Sequence, residues 1–196
     1  SFFAGFSDFV AVRDNFRQTV LDETSLVRLI QGGALDLSPL AEAAGGVVPA
    51  LDGSRIAWSG GSLGGIMGTM TVAVEPEIHA AALQVPGASF VQLITTNSAQ
   101  VSGLVGTIAS GTFGIQGEEV FDEYHPVGLL LATVTEAGDP IAYAPHVMQS
   151  HVSARTPPDL LVTYALDDEL LPNISTHALL RALGIDIAEP SLVPVD

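Results

Sequence analysis

The sequence predicts an α/β domain built on a mostly parallel sheet with helices on both faces. Short apolar runs at 56–58, 79–85 and 160–165 read as strands, and they alternate with longer stretches of helical spacing. The last run, Leu160-Leu161-Val162-Thr163-Tyr164-Ala165, is apolar on both faces, as a central parallel strand would be. Between the first strand and the helix after it stands Gly60-Gly61-Ser62-Leu63-Gly64, a Gly-x-Ser-x-Gly turn in a strand–turn–helix setting.

Each element has its own local signal. From Phe9 to Ile30, apolar residues at 9, 12, 16, 20, 27 and 30 predict a helix that Gly32-Gly33 stops. Asp14 and Arg17 lie on its opposite face and are spaced to pair. Ser38-Pro39 predicts an N-cap and a short helix to Ala44, with turns at Gly45-Gly46 and Asp52-Gly53 before the first strand. The helix after Ser62 is expected to reach Val74, where Glu75-Pro76 breaks it. Its Gly64, Gly65 and Gly68 weaken a lone helix but suit close packing against a sheet. His79 to Val85 reads as a strand closed by Pro86-Gly87, and residues 88–125 show few charges and no clean period. Pro126 to Thr135 reads as helix, and Gly138-Asp139-Pro140 as a break. Asp167-Asp168 follow the 160–165 strand, then a helix from about Ile174 to Leu183 and a final strand, Ser191 to Val195.

Bulk properties narrow the function. A chain of 196 residues suits one domain, and 47% hydrophobic against 14% charged residues excludes general disorder. A formal charge of −16, from 22 acids against six arginines and no lysine, repels phosphate backbones and anionic headgroups. Nucleic acid is therefore excluded as a partner, and a neutral small molecule fits. Without cysteine there is no thiol catalysis and no thiolate metal site. No run reaches the roughly 18–20 apolar residues of a membrane span. No basic-then-apolar leader opens the chain, but Ser1 replaces an initiator methionine, so export stays open.

The glycine turn carries the chemistry. A serine at such a turn sits in strained backbone with its hydroxyl pushed clear of the sheet, and Gly60 and Gly64 let neighbouring backbone pass without Cβ clashes. The helix that follows aims its first amides at an oxyanion forming beside Ser62. A plain glycine-rich loop and a phosphate-cradling turn are the alternatives. The second lacks a Gly-Lys-Ser/Thr signature. Functional groups of parallel sheets gather beyond the carboxyl strand ends, which brings in Asp167 and Asp168.

A serine nucleophile needs an imidazole base oriented by a carboxylate, in the chain order Ser, acid, His. The third place is empty. His177 lies nine residues after Asp168, within a predicted helix, and reads as a packing residue. His79, His125, His146 and His151 all precede the acid. A base in an unusual order would put His125, His146 or His151 within hydrogen-bond reach of Ser62. His146 and His151 have no acidic ligand between them, so no metal site is expected.

Four stretches together carry a resemblance. They are Asp14-Asn15-Phe16-Arg17-Gln18 (with Asp22 and Leu26 to Leu29), Gly60-Gly61-Ser62-Leu63-Gly64-Gly65, Val85-Pro86-Gly87, and Asp168-Glu169-Leu170-Leu171-Pro172-Asn173. In these the chain resembles the α/β-hydrolases, specifically their large bacterial lipase/esterase-like members. The resemblance implies a partial α/β-hydrolase fold, with residues 88–150 as a cap over an acyl pocket. It implies Ser62 as nucleophile, Asp168 rather than Asp167 as the acid, and the Leu63 amide as an oxyanion donor, on an elbow of Gly60, Gly61 and Gly64. A second donor is missing or lies within Ser1 to Gly5, and the early strands and the histidine loop have no counterpart. The chain thus reads as an internal piece of a longer hydrolase. The implied substrate is a small ester or lipid, with no cofactor. The alternatives are a non-catalytic scaffold of that fold, binding a ligand or protein partner, and a serine peptidase.

Overall fold

The computed structural model describes residues 8–96, 110–111, 113–115, 121–152 and 156–188. The elements, in chain order, are α1 (Phe9–Gln31), β1 (Ile56–Gly61), α2 (Leu63–Val74), β2 (Ile78–Gln84), α3 (Phe90–Thr95), α4 (Pro126–Thr135), α5 (Pro140–Tyr143), α6 (Pro145–Met148), β3 (Asp159–Thr163) and α7 (Asn173–Leu183). The three strands form one parallel sheet in the order β1-β2-β3, with Gly61, Gln84 and Thr163 in one row. The protein is a mixed α/β structure. The strand expected at Ser191 to Val195 lies outside the described residues, as do Ser1 to Gly5, the one stretch in which a second oxyanion donor was allowed.

Helix α1 forms where the periodicity places it. The Asp8 carboxylate accepts the Ala11 amide at 3.0 Å as an N-cap, and Gly32 closes the helix on the Arg28 carbonyl. Phe9, Val12, Phe16, Val20 and Val27 are buried along one stripe. Burial of such side chains contributes about 1.5–3 kcal/mol each. On the far face Asp14 meets Arg17 at 3.4 Å, as the spacing predicts, and Arg13 more closely at 2.8 Å. The hydrogen bond from Arg13 holds the Asp14 carboxyl below its usual range. The helix expected from Ser38 to Ala44 is instead one 3-10 turn, Ser38–Leu40, followed by turns. Its N-cap is Leu37 rather than Ser38, and the Asp36 carboxylate accepts the Ser38 amide at 3.0 Å.

Alternation along the strands sorts the sheet into two unlike faces. Trp58, Ala81, Leu83, Leu160 and Val162 point toward the helices and join a core with Val72, Val147, Leu179 and Leu183. The opposite face presents Ala57, Ser59, Gly61, Gln84 and Leu161, all exposed. Helices on both faces were expected; among the described residues they lie on one. Accordingly β3, read as apolar on both sides, alternates between exposed and half-buried, with Leu161 60% exposed. A shallow depression of about 360 Å³ lies on the bare face between Ala57, Ala80, Ala82 and Leu161.

A separate apolar cluster joins Phe9 of α1 to Val91 and Ile94 of α3 and Leu131 of α4. This cluster packs apart from the core beneath the sheet, which Ala144 and Val147 of the same 88–150 region join. No described helix is long and apolar enough to cross a membrane.

Candidate active site

Ser62 sits between β1 and α2 with φ 54 and ψ −117, a conformation rarely taken by a residue with a Cβ. Three backbone bonds hold it there. Its amide donates to the Gln84 carbonyl at 2.9 Å, and its carbonyl accepts the amides of Gly65 at 2.9 Å and Ile66 at 3.0 Å. Of the flanking glycines Gly60 is the one this turn requires, because a Cβ on Gly64 would meet nothing within 4 Å. A Cβ on Gly60 would lie 2.3 Å from the Gly64 carbonyl oxygen, so the two glycines pass at a distance only hydrogen permits.

Trp58 braces the turn from below, its indole Nε1 donating to the Gly64 carbonyl at 3.0 Å. A Cβ on Gly68 would fall 2.2 Å from that same nitrogen, which explains a glycine in mid-helix. The Ser62 side chain is exposed and makes no capping bond. The amides of Leu63 and Gly64 open the first turn of α2, where no intrahelical acceptor exists. The geometry is thus a free hydroxyl beside free amides at a helix start.

The other strand ends share this character. Val85 follows β2 with φ 42, Ser89 precedes α3 with φ 62, and Asp167 follows β3 with φ 54. Together with Ser62 these are all the non-glycine residues of positive φ among the described residues, and all four lie at the carboxyl edge of one sheet. Backbone held in such regions costs on the order of 1–3 kcal/mol per residue and clusters at functional sites.

Asp168 is half-buried in the turn after β3, its Oδ1 accepting the amides of Leu170 and Leu171 at 2.9 Å each. Asn173 closes the turn, accepting the Asp167 amide at 2.9 Å and donating to the Ala165 carbonyl at 2.7 Å. Ser62 and Asp168 therefore belong to the same sheet edge, on strands that flank β2. Two strand spacings, about 10 Å, separate those strands.

The histidines are placed elsewhere. His125 caps α4, its Nδ1 accepting the Val127 amide at 3.1 Å. His146 Nδ1 lies 2.6 Å from the Ser150 carbonyl, and His151 Nδ1 lies 3.1 Å from that of His146. His79 is exposed in β2, and His177 packs edge-on to Tyr164 within α7, the packing role its position predicts. None of them bonds the Ser62 hydroxyl, so a base in an unusual chain order is not assembled. No cluster of metal-ligating side chains occurs among the described residues.

Three buried polar residues at this edge escape a linear reading. Asp139, read only as part of a break, accepts the amides of Ser89 at 2.8 Å, Phe90 at 2.5 Å and Ile141 at 3.0 Å. Burial pushes its carboxyl above the usual range, against the pull of those amides. An Asp before a Pro is an N-cap signal, which accounts for the Ile141 bond but not the other two. Ser175 and Thr176 have no signal in the sequence; both are buried against the chain after β2. No known family model and no curated protein matches this sequence.

Proposed function

We propose that the protein is a serine hydrolase of carboxylic esters, of the lipase/esterase kind, with an α/β-hydrolase-like catalytic domain. The observation that carries this reading is Ser62 itself: an exposed hydroxyl on strained, non-glycine backbone at a strand-to-helix turn, beside the open amides of α2. Strain of that kind persists where a function requires the side chain in one direction.

In this reading the Ser62 Oγ attacks the acyl carbon of an ester, and the Leu63 amide holds the oxyanion. The reading calls for an imidazole beyond the five described histidines: oriented by Asp168, it would take the hydroxyl proton and pass it to the departing alcohol. Water, deprotonated by the same imidazole, attacks the acyl-enzyme and releases the acid. The two backbone amides on the Asp168 carboxylate fix its place. The α3–α4 layer with its apolar cluster serves as the cap, and the charge of −16 suits a neutral ester over an anionic one.

A non-catalytic scaffold of the same architecture is the second reading, favoured by the one observation that no described histidine bonds Ser62. One experiment separates them. The intact protein is expected to hydrolyse short p-nitrophenyl esters and to be labelled at Ser62 by a fluorophosphonate. Ser62→Ala should bring turnover down to the background rate, a loss of about 10⁴-fold or more. An unlabelled parent, with Ser62→Ala equally active, leaves the scaffold.

A further inference from the structure

We infer that the first turn of α7 positions Ser62 as well as the Asp168 turn, through a clamp of buried hydroxyls on the segment after β2. The inference rests on the hydrolase reading only for its catalytic consequence; its geometry stands on named bonds. Residues 85–90 carry the chain from β2 into α3 and contain two left-handed non-glycine residues, Val85 and Ser89. A β-branched residue in that region is a true outlier and persists only where its surroundings over-determine it.

The over-determination comes from both sides. Ser175 is wholly buried, and its Oγ donates to the Ala88 carbonyl at 2.6 Å while accepting the Ala88 amide at 2.9 Å. Thr176, 1% exposed, donates its Oγ1 to the Pro86 carbonyl at 2.7 Å. From the α5 side, Asp139 takes the next two amides, Ser89 and Phe90. The segment is thereby pinned at four of its six residues, Pro86, Ala88, Ser89 and Phe90.

What it is pinned against is the serine turn. The Gln84 carbonyl, just before the segment, accepts the Ser62 amide, and the Val85 amide donates to the Thr163 carbonyl at 2.6 Å. Gly65, in the first turn of α2, seats so closely that a Cβ there would lie 3.0 Å from the Gln84 oxygen and 3.1 Å from Pro86 Cβ. Meanwhile Asn173, two residues before Ser175, holds both ends of the turn bearing Asp167 and Asp168. One helix start therefore sets the serine and the carboxylate relative to each other. Ser175 and Thr176 touch no reacting atom; they are positioning residues.

The test compares Thr176→Val, which keeps the shape and loses the hydroxyl, with Thr176→Ser, which keeps the hydroxyl. Two readouts are taken on the intact protein: hydrogen exchange of the Ser62 amide, and fluorophosphonate labelling with ester kcat and KM. Thr176→Val is expected to speed exchange at Ser62 about tenfold while leaving the amides of α1 unchanged. It should lower kcat and the labelling rate by a similar factor with KM little moved. Thr176→Ser should restore both. Unchanged exchange at Ser62 in Thr176→Val overturns the clamp, whether or not the parent is labelled. Faster exchange with an unlabelled parent supports the clamp and removes the hydrolase reading alone. Should Thr176→Val fail to fold, Ser175→Ala carries the same comparison, because the Thr176 bond remains.

Discussion

At the carboxyl edge of the sheet, each of the three strands runs out into a left-handed, non-glycine residue: Ser62, Val85 or Asp167. At the amino edge, where the chain enters those strands, no described non-glycine residue has positive φ. Entry to β1 uses an ordinary turn in which the Asp52 carboxylate accepts the Ser54 amide at 3.0 Å. Entry to β2 buries Glu75 completely, with Arg28 Nη2 at 3.1 Å and the Glu77 amide on its other oxygen at 3.1 Å. The cost at the amino edge is a buried ion pair; at the carboxyl edge it is conformational, together with a buried Asp139 carboxyl held by backbone amides. Backbone strain fixes the direction of a side chain, and the strained edge carries the exposed Ser62 hydroxyl.

Breaking the carboxyl edge should have the largest effect. Gly60→Ala places a Cβ against the Gly64 carbonyl oxygen, a backbone atom that cannot step aside without opening the serine turn. A loss on the order of 3 kcal/mol in denaturant unfolding is expected, together with loss of labelling at Ser62. A wild-type midpoint would mean that the turn tolerates another shape.

Relieving strain at the same edge should act in the opposite direction and more gently. Asp167 is exposed at φ 54, so Asp167→Gly removes a Cβ from left-handed backbone while keeping the amide that Asn173 accepts. We expect stabilisation of up to about 1 kcal/mol, offset in part by the freer unfolded chain. A destabilised variant would show that the carboxylate, rather than the turn, matters there.

At the far end of α2 the smallest effect is one of pH. Glu23 of α1 accepts a hydrogen bond from Thr71, and burial holds its carboxyl above the usual range despite that bond. The folded state therefore binds the proton more tightly than the unfolded chain. Stability from this group is present below the unfolded value, about 4.3, and is lost as pH rises through the folded value. Glu23→Gln keeps the acceptor and removes the titration. Its stability relative to the parent should therefore climb as pH rises from about the unfolded value through the folded one in denaturant titrations. A flat difference would contradict the assignment.

Much of this was legible in the residues. The stripe from Phe9 to Ile30 gave α1, and Pro126 to Thr135 is α4 to the residue, because proline at a first turn is a local rule. The serine turn was legible because Gly60, two residues before Ser62, answers a local steric demand: a Cβ there meets the Gly64 backbone. The short helix at Ser38 shrank because its region buries nothing against the core.

What the sequence by itself determined, then, is the three strands, helices α1, α2, α4 and α7, and that residue 62 takes the strained place in a turn between them; α3, α5 and α6 carry no such signal. Periodicity, breakers and glycine spacing are local quantities, and a chain reads them within a few residues. Tertiary structure alone decided that the described helices cover one face of the sheet, and that Val85 and Ser89 are strained. It also decided that Ser175, Thr176 and Asp139 are the residues that hold them so. The Thr176 bond to Pro86 spans 90 positions. A hydroxyl's partner at that distance is set by how the whole core packs, and no window along the chain contains it.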